Sequence, residues 1–159
     1  MRHTYDITEE PRDEVYRALV DFCAARAATV LLVLREMDWL DDSARAFISQ
    51  FQKSALQEQN ATEWPGTKLT SRTATLFRYR ITPDLIDYLK TNADGLYEWQ
   101  QPERLEDLSF LREDGSTLLA TIAHEHDAYV VMTPAEYKGL SQSLPALHVV
   151  KHTRANDVV

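Results

Sequence analysis

Two rhythms of apolar positions alternate along this chain. After Pro11, which suits a first helical turn, Val15, Leu19, Phe22 and Cys23 fall at helical spacing, and Asp13 and Glu14 complement the positive helix end, so a helix is expected from about 11 to 26. Thr29-Val30-Leu31-Leu32-Val33-Leu34 reads as a strand buried on both faces. Arg26, Val30 and Leu34 also keep a four-residue period, so residues 27–35 could instead continue the helix; the strand is preferred. Asp41-Asp42-Ser43 offers helix caps, and Ala44, Phe47, Ile48, Phe51 and Ala55 give a second helix reaching about Glu58. A loop from Asn60 to Thr67 precedes the clean alternation of residues 75–81, with Phe77, Tyr79 and Ile81 on one face and Leu76, Arg78 and Arg80 on the other. If the two strands of 29–81 are parallel, they form a right-handed crossover.

The second half is punctuated more sharply. Thr82-Pro83 opens a third helix carrying Leu85, Ile86 and Leu89, with Gly95 placed to end it. Leu96 to Trp99 reads as a short edge strand, and Pro102 to Leu108 as an acidic loop. Ser109–Arg112 and Thr117–Ala123 flank Glu113-Asp114-Gly115-Ser116, a good hairpin turn, and Ala128–Met132 folds back across His124-Glu125-His126-Asp127. These three strands predict an antiparallel meander with Leu118, Ile122, Val130 and Met132 in its core. Thr133-Pro134-Ala135-Glu136 is a capping box, and Leu147–Val150 reads as a last strand. Residues 1–8 read as a frayed start and 153–159 as a disordered tail around a single domain of residues 1–152. The expected class is α+β: a mixed sheet of five or six strands flanked by helices.

Composition narrows the functions more than it names one. The chain has 159 residues, 17 basic against 25 acidic, for a net charge of −8. That balance argues against nucleic acid or an anionic membrane as a direct partner and permits a basic protein. The acidity is uneven: residues 102–127 hold seven acidic residues against two arginines. One cysteine excludes an internal disulfide and a multi-cysteine metal site, and Cys23 sits on an apolar stripe as a packing residue. The polar, acid-rich start lacks an apolar signal region, and the longest apolar run is too short for a bilayer, so a cytoplasmic location is expected.

Candidate chemistry is sparse. His124, Glu125, His126 and Asp127 are ligand types, and His124, His126 and Asp127 could hold a metal with help from His148, His152 or Glu98; placed at a turn, the cluster reads first as structural. Glu103, Glu106 and Asp107 could do acid–base work only if burial split their pKa values. Arg78 and Arg80 could grip an anion or pair across a sheet. Trp64 and Trp99 lie in or beside loops, as interface anchors or core caps. No phosphate-cradling glycine loop and no nucleophile elbow is present.

Three stretches carry a resemblance: Trp64-Pro65-Gly66-Thr67; Pro102-Glu103 with Glu106-Asp107-Leu108; and His124-Glu125 with Asp127-Ala128-Tyr129. Together, over about residues 60–145, they resemble a group of small uncharacterised bacterial proteins, some similar to immunity proteins of polymorphic toxin systems. The resemblance implies a bacterial cytosolic protein that neutralises a toxin by binding it, and it carries over no catalytic residue. The sequence-level expectation is therefore a non-catalytic, immunity-type binding protein without a cofactor. Its acidic surface would cover a basic partner such as a toxin domain through Glu103, Glu106 and Asp107, with Trp99 or Trp64 as apolar anchor. The alternatives are a small metal-dependent hydrolase using the His124–Asp127 cluster, and a homodimeric structural or regulatory domain.

Overall fold

A computed structural model describes residues 1–153 of the chain. Ten strands and four helices follow one another: β1 (His3–Ile7), α1 (Asp13–Ala24), β2 (Thr29–Leu34), α2 (Asp42–Gln50), β3 (Ala55–Ala61), β4 (Glu63–Trp64), β5 (Thr67–Lys68), β6 (Ala74–Arg80), α3 (Pro83–Thr91), β7 (Glu106–Leu111), β8 (Thr117–Ile122), β9 (Asp127–Met132), α4 (Pro134–Ser143) and β10 (Val149–Lys151). Eight strands form one sheet in the order β10-β1-β9-β8-β7-β2-β6-β3, and β4 and β5 form a separate small hairpin. The class is α+β. Among the described residues no helix is long and apolar enough to cross a membrane.

The sheet is larger than the five or six strands expected, and it is antiparallel throughout rather than mixed. β2 and β6 lie side by side, with Leu32 opposite Phe77, so the right-handed crossover does not exist. The chain returns through α2 and then lays β3 on the outer side of β6. The second helix therefore stops at Gln50 instead of reaching Glu58. β3 is exposed over its central positions, so Ala-Leu-Gln-Glu-Gln-Asn-Ala carries no alternation to announce it; pairing with β6 makes it a strand. The expected frayed start is likewise a strand, β1, held between β9 and β10 with Tyr5 and Ile7 buried. The expected last strand is shorter, Val149–Lys151, and the expected edge strand at 96–99 is a single 3-10 turn, Leu96–Glu98. The expected acidic loop ends early, because Glu106, Asp107 and Leu108 already belong to β7. Of the expected tail, Thr153 is exposed and residues 154–159 lie outside the described residues.

The alternation of β2 divides the interior in two. Val30, Leu32 and Leu34 join the main core against the helices, with Phe77, Tyr79, Leu118, Val130 and Met132. Leu31 and Val33 point to the opposite face, where Leu76, Ala74, Leu111 and Trp64 form a second, smaller core. The segment between β3 and β6, which contains the β4–β5 hairpin, supplies Trp64 to that face. β2 ends at Leu34, and Arg35 follows it directly.

Candidate functional site

The site begins with a break in strand register. Along β7 and β2 the pairing passes from Glu106 opposite Val33 to Ser109 opposite Leu31, so Asp107 and Leu108 together face Leu32. Asp107 takes φ 57, in the left-handed region that Asp and Asn enter more readily than other side chains. Such a bulge re-aims side chains. In a regular strand Glu106 and Asp107 would point to opposite faces; here both carboxylates reach the Arg35 guanidinium, with Asp107 Oδ2 3.2 Å from Arg35 Nη2.

The two acids have different surroundings. Asp107 is fully buried and well supplied with donors: Trp64 Nε1 at 2.9 Å and Arg35 Nη2 donate to Oδ2, and the Ala123 backbone N–H donates to Oδ1 at 3.0 Å. Glu106 is 5% exposed and poorer in partners, with Arg35 beside one oxygen and the Gln101 N–H at 3.4 Å from the other. Burial raises its pKa above the ordinary glutamate value, Asp107 pushes the same way, and Arg35 opposes them. Two buried carboxylates thus face one guanidinium, which itself lies over the Trp64 ring, 5.0 Å from its centroid.

Gln101 turns this buried cluster into a surface feature. Its side-chain oxygen accepts from the N–H groups of Arg35 (2.7 Å) and Glu36 (3.3 Å), and its amide donates to the carbonyls of Glu36 (2.7 Å) and Trp39 (3.1 Å). The loop after β2 is held at both ends of its 3-10 turn, Met37–Trp39. Two further bonds, Asp41 N–H to the Pro102 carbonyl (2.8 Å) and Ser43 Oγ to the Glu103 carbonyl (2.9 Å), join it to the loop before β7. The result is a ridge presenting Trp39, 55% exposed, and Met37, 54% exposed, among the exposed acids Asp38, Asp41, Asp42 and Glu103. Between the ridge and the start of β6 lies a cavity of about 240 Å3, bordered by Trp39, Leu69, Ala74, Glu106 and the Glu36–Arg72 ion pair (3.0 Å).

The site residues expected from the sequence fall mostly inside. Trp64, Trp99, Glu106 and Asp107 are buried, at 4%, 1%, 5% and 0% exposed, so they cannot form an outer surface as expected; Glu103 alone of that set is exposed. Trp99 donates to the Tyr16 hydroxyl at 2.9 Å within the main core. Nor is the acidic segment 102–127 one surface. Glu113 and Asp114 sit at the β7–β8 turn, whereas Glu103, Glu125 and Asp127 sit at the opposite strand ends, separated by the six residues of β8, roughly 20 Å of strand. Arg35, Gln101 and Trp39 were missed. The one available signal was Trp39 itself, an aromatic set among acids in Asp38-Trp39-Leu40-Asp41-Asp42 with no apolar partner at helix spacing.

The histidine cluster occupies an exposed 3-10 turn, with His124 Nε2 3.7 Å from Glu125 and the His126 ring 5.3 Å from that of Tyr97. Among the described residues no three His, Cys, Asp or Glu side chains converge as a metal site. Cys23 is fully buried, and that burial pushes its thiol up to about 12, a packing residue and not a nucleophile. The three stretches that carry the resemblance meet in space. Trp64 and the turn after β8 both donate to Asp107, and Gly66, at φ 85, lies against Ile122, where an added Cβ would come within 2.7 Å of Cδ1. Comparison with protein-family models, curated proteins and solved structures finds nothing that matches this chain.

Proposed function

We propose that the protein is a non-catalytic binding protein of immunity type. It neutralises a basic partner, such as a bacterial toxin domain, by covering it in the cytoplasm with the acidic ridge around Trp39. The observation that carries this reading is Trp39: a tryptophan more than half exposed, on a loop held by four hydrogen bonds from one glutamine, among acids without an equal number of bases. An exposed aromatic on a held backbone loses little freedom on binding, and Trp is among the residues that most often dominate interface energies. Exposed acids alone add only about 0–1 kcal/mol per ion pair, so their part is to speed encounter and fix register. The resemblance of residues 60–145 supports the immunity reading, and the net charge of −8 supports a basic target.

The test pairs the protein with the product of the neighbouring gene, since immunity proteins act on a toxin encoded beside them. Surface-immobilised binding should detect a complex. Trp39→Ala should mainly speed its dissociation, and Asp38→Lys with Asp41→Lys and Asp42→Lys should slow association and flatten its salt dependence. A complex indifferent to both variants, or none at all, overturns the reading.

A further inference from the structure

The cavity beneath the ridge stands apart from five other features of the molecule. The groove between α2 and β3 holds the Tyr79 hydroxyl, which has no partner but is sealed off from the groove's solvent. The outer edge of β3 offers unpaired backbone groups, with nothing beside it to say what would cover them. Arg112 and Glu136 form a half-buried ion pair that belongs to the cap of α4. Arg78 and Arg80 lie on β6 outside the two cavities just named, and among the described residues the His124–Asp127 turn lacks converging ligands.

We propose that the cavity beneath the ridge is a socket for a single cationic side chain, a lysine or arginine of the partner, seated between the Trp39 ring and the Glu106 carboxylate. This deepens the binding reading above and rests on it. At about 240 Å3 the cavity falls below the roughly 300–1,000 Å3 of drug-sized ligand sites and suits one long side chain. Its charge asks for a cation. The lining itself is balanced, Glu36 and Glu106 against Arg35 and Arg72, but Arg35 is shared with the fully buried Asp107 behind it, which leaves that cluster one negative charge in excess, and the deepest acid of the lining, Glu106, is the one short of donors. Its walls fit such a guest as well. Trp39 offers a ring face for an ammonium or guanidinium, while Leu69 and Ala74 offer apolar surface for the methylene stem. Entry would loosen the Glu36–Arg72 pair, whose side chains are 56% and 73% exposed and which therefore holds weakly. The competing occupant is an anion on Arg35 and Arg72, but Arg35 is already engaged by two carboxylates.

A titration of the intact chain followed by amide and indole N–H resonances tests this without the partner. The probes are N-acetyl-arginine amide, N-acetyl-lysine amide and inorganic phosphate. The cationic probes should shift the Trp39 indole N–H and the amides of Arg35, Ala74 and Glu106 together and saturably. Glu106→Gln and Trp39→Ala should each weaken that binding about tenfold, the loss expected when a charge-assisted or aromatic contact goes. Trp39 is exposed, so its variant keeps the test valid if the Glu106 variant misfolds. Shifts caused by phosphate and not by the cations, or cation shifts spread over the acidic surface and unchanged in both variants, overturn the socket. The two failures are separable: an empty socket with an intact, Trp39-dependent protein complex contradicts this inference alone, and a socket that binds while no complex forms contradicts only the partner.

Discussion

At the scale of single residues, Asp107 and Glu106 are neighbours with opposite energetic roles. Asp107 spends its burial on three donors, and removing its charge strands the Arg35 guanidinium against one poorly placed acid. Asp107→Asn keeps a side chain suited to the left-handed backbone, so its cost reports the charge: about 3 kcal/mol in urea unfolding, against less than ~0.5 for the exposed Glu103→Ala. Equal effects would show that the buried carboxylate is not what holds the three segments together. Glu106 works the other way. Its folded pKa is raised, by burial first, so its contribution to stability is complete below the ordinary glutamate value and is lost as pH rises through the raised one. The charged groups facing it are Arg35 and Asp107 in the core and the Glu36–Arg72 pair across the cavity. Glu106→Gln cannot ionise. Denaturation midpoints should therefore fall less for the variant than for the wild type as pH rises above about 4.5. Parallel profiles would contradict the reading of Glu106 as an under-compensated buried acid.

At the scale of elements, helix caps hold the fold's corners. In α4 the Thr133 hydroxyl accepts from the Glu136 N–H at 3.2 Å and the Glu136 carboxylate accepts from the Thr133 N–H at 2.8 Å. Arg112, 8% exposed at the end of β7, donates to both oxygens of the same carboxylate, at 2.8 and 3.1 Å. Although burial works against it, these donors hold the Glu136 carboxyl below the usual glutamate value. Its stability contribution is present above the unfolded pKa and lost as pH falls through the lowered folded one. Glu136→Gln should cost about 1–2 kcal/mol near neutral pH, with the difference shrinking below about pH 4 in urea titrations. A gap that persists in acid would mean the cap works through shape and not charge. This capping box was legible in four residues, as were β2, β6, α3 and the β7–β9 meander, because each announces itself by a cap, an alternation or an unbroken apolar run that does not depend on distant partners. β1 and β3 were not. Both are polar and become strands only through neighbours more than a dozen residues away, and β3 is exposed along most of its length. The site failed for a related reason: a Glu-Asp pair reads as a loop unless Arg35, some seventy residues earlier, is known to lie beside it.

At the scale of the whole molecule, the acidic charge is partitioned by the sheet's two ends, and only one end combines it with an exposed tryptophan. The three tryptophans divide accordingly: Trp64 and Trp99 close the two cores, and Trp39 faces outward. On the reading proposed above, the Arg35–Glu106–Asp107 cluster and the Gln101 clamp are the scaffolding that holds the Trp39 loop. The most direct measurement compares wild type and Trp39→Ala binding to the neighbouring gene's product by surface-immobilised kinetics, with thermal melts of both proteins alongside. Unchanged melting with a dissociation rate raised tenfold or more, about 1.4 kcal/mol, is the expected result. Equal dissociation rates from equally stable proteins would contradict the claim that this ridge is the partner-facing surface.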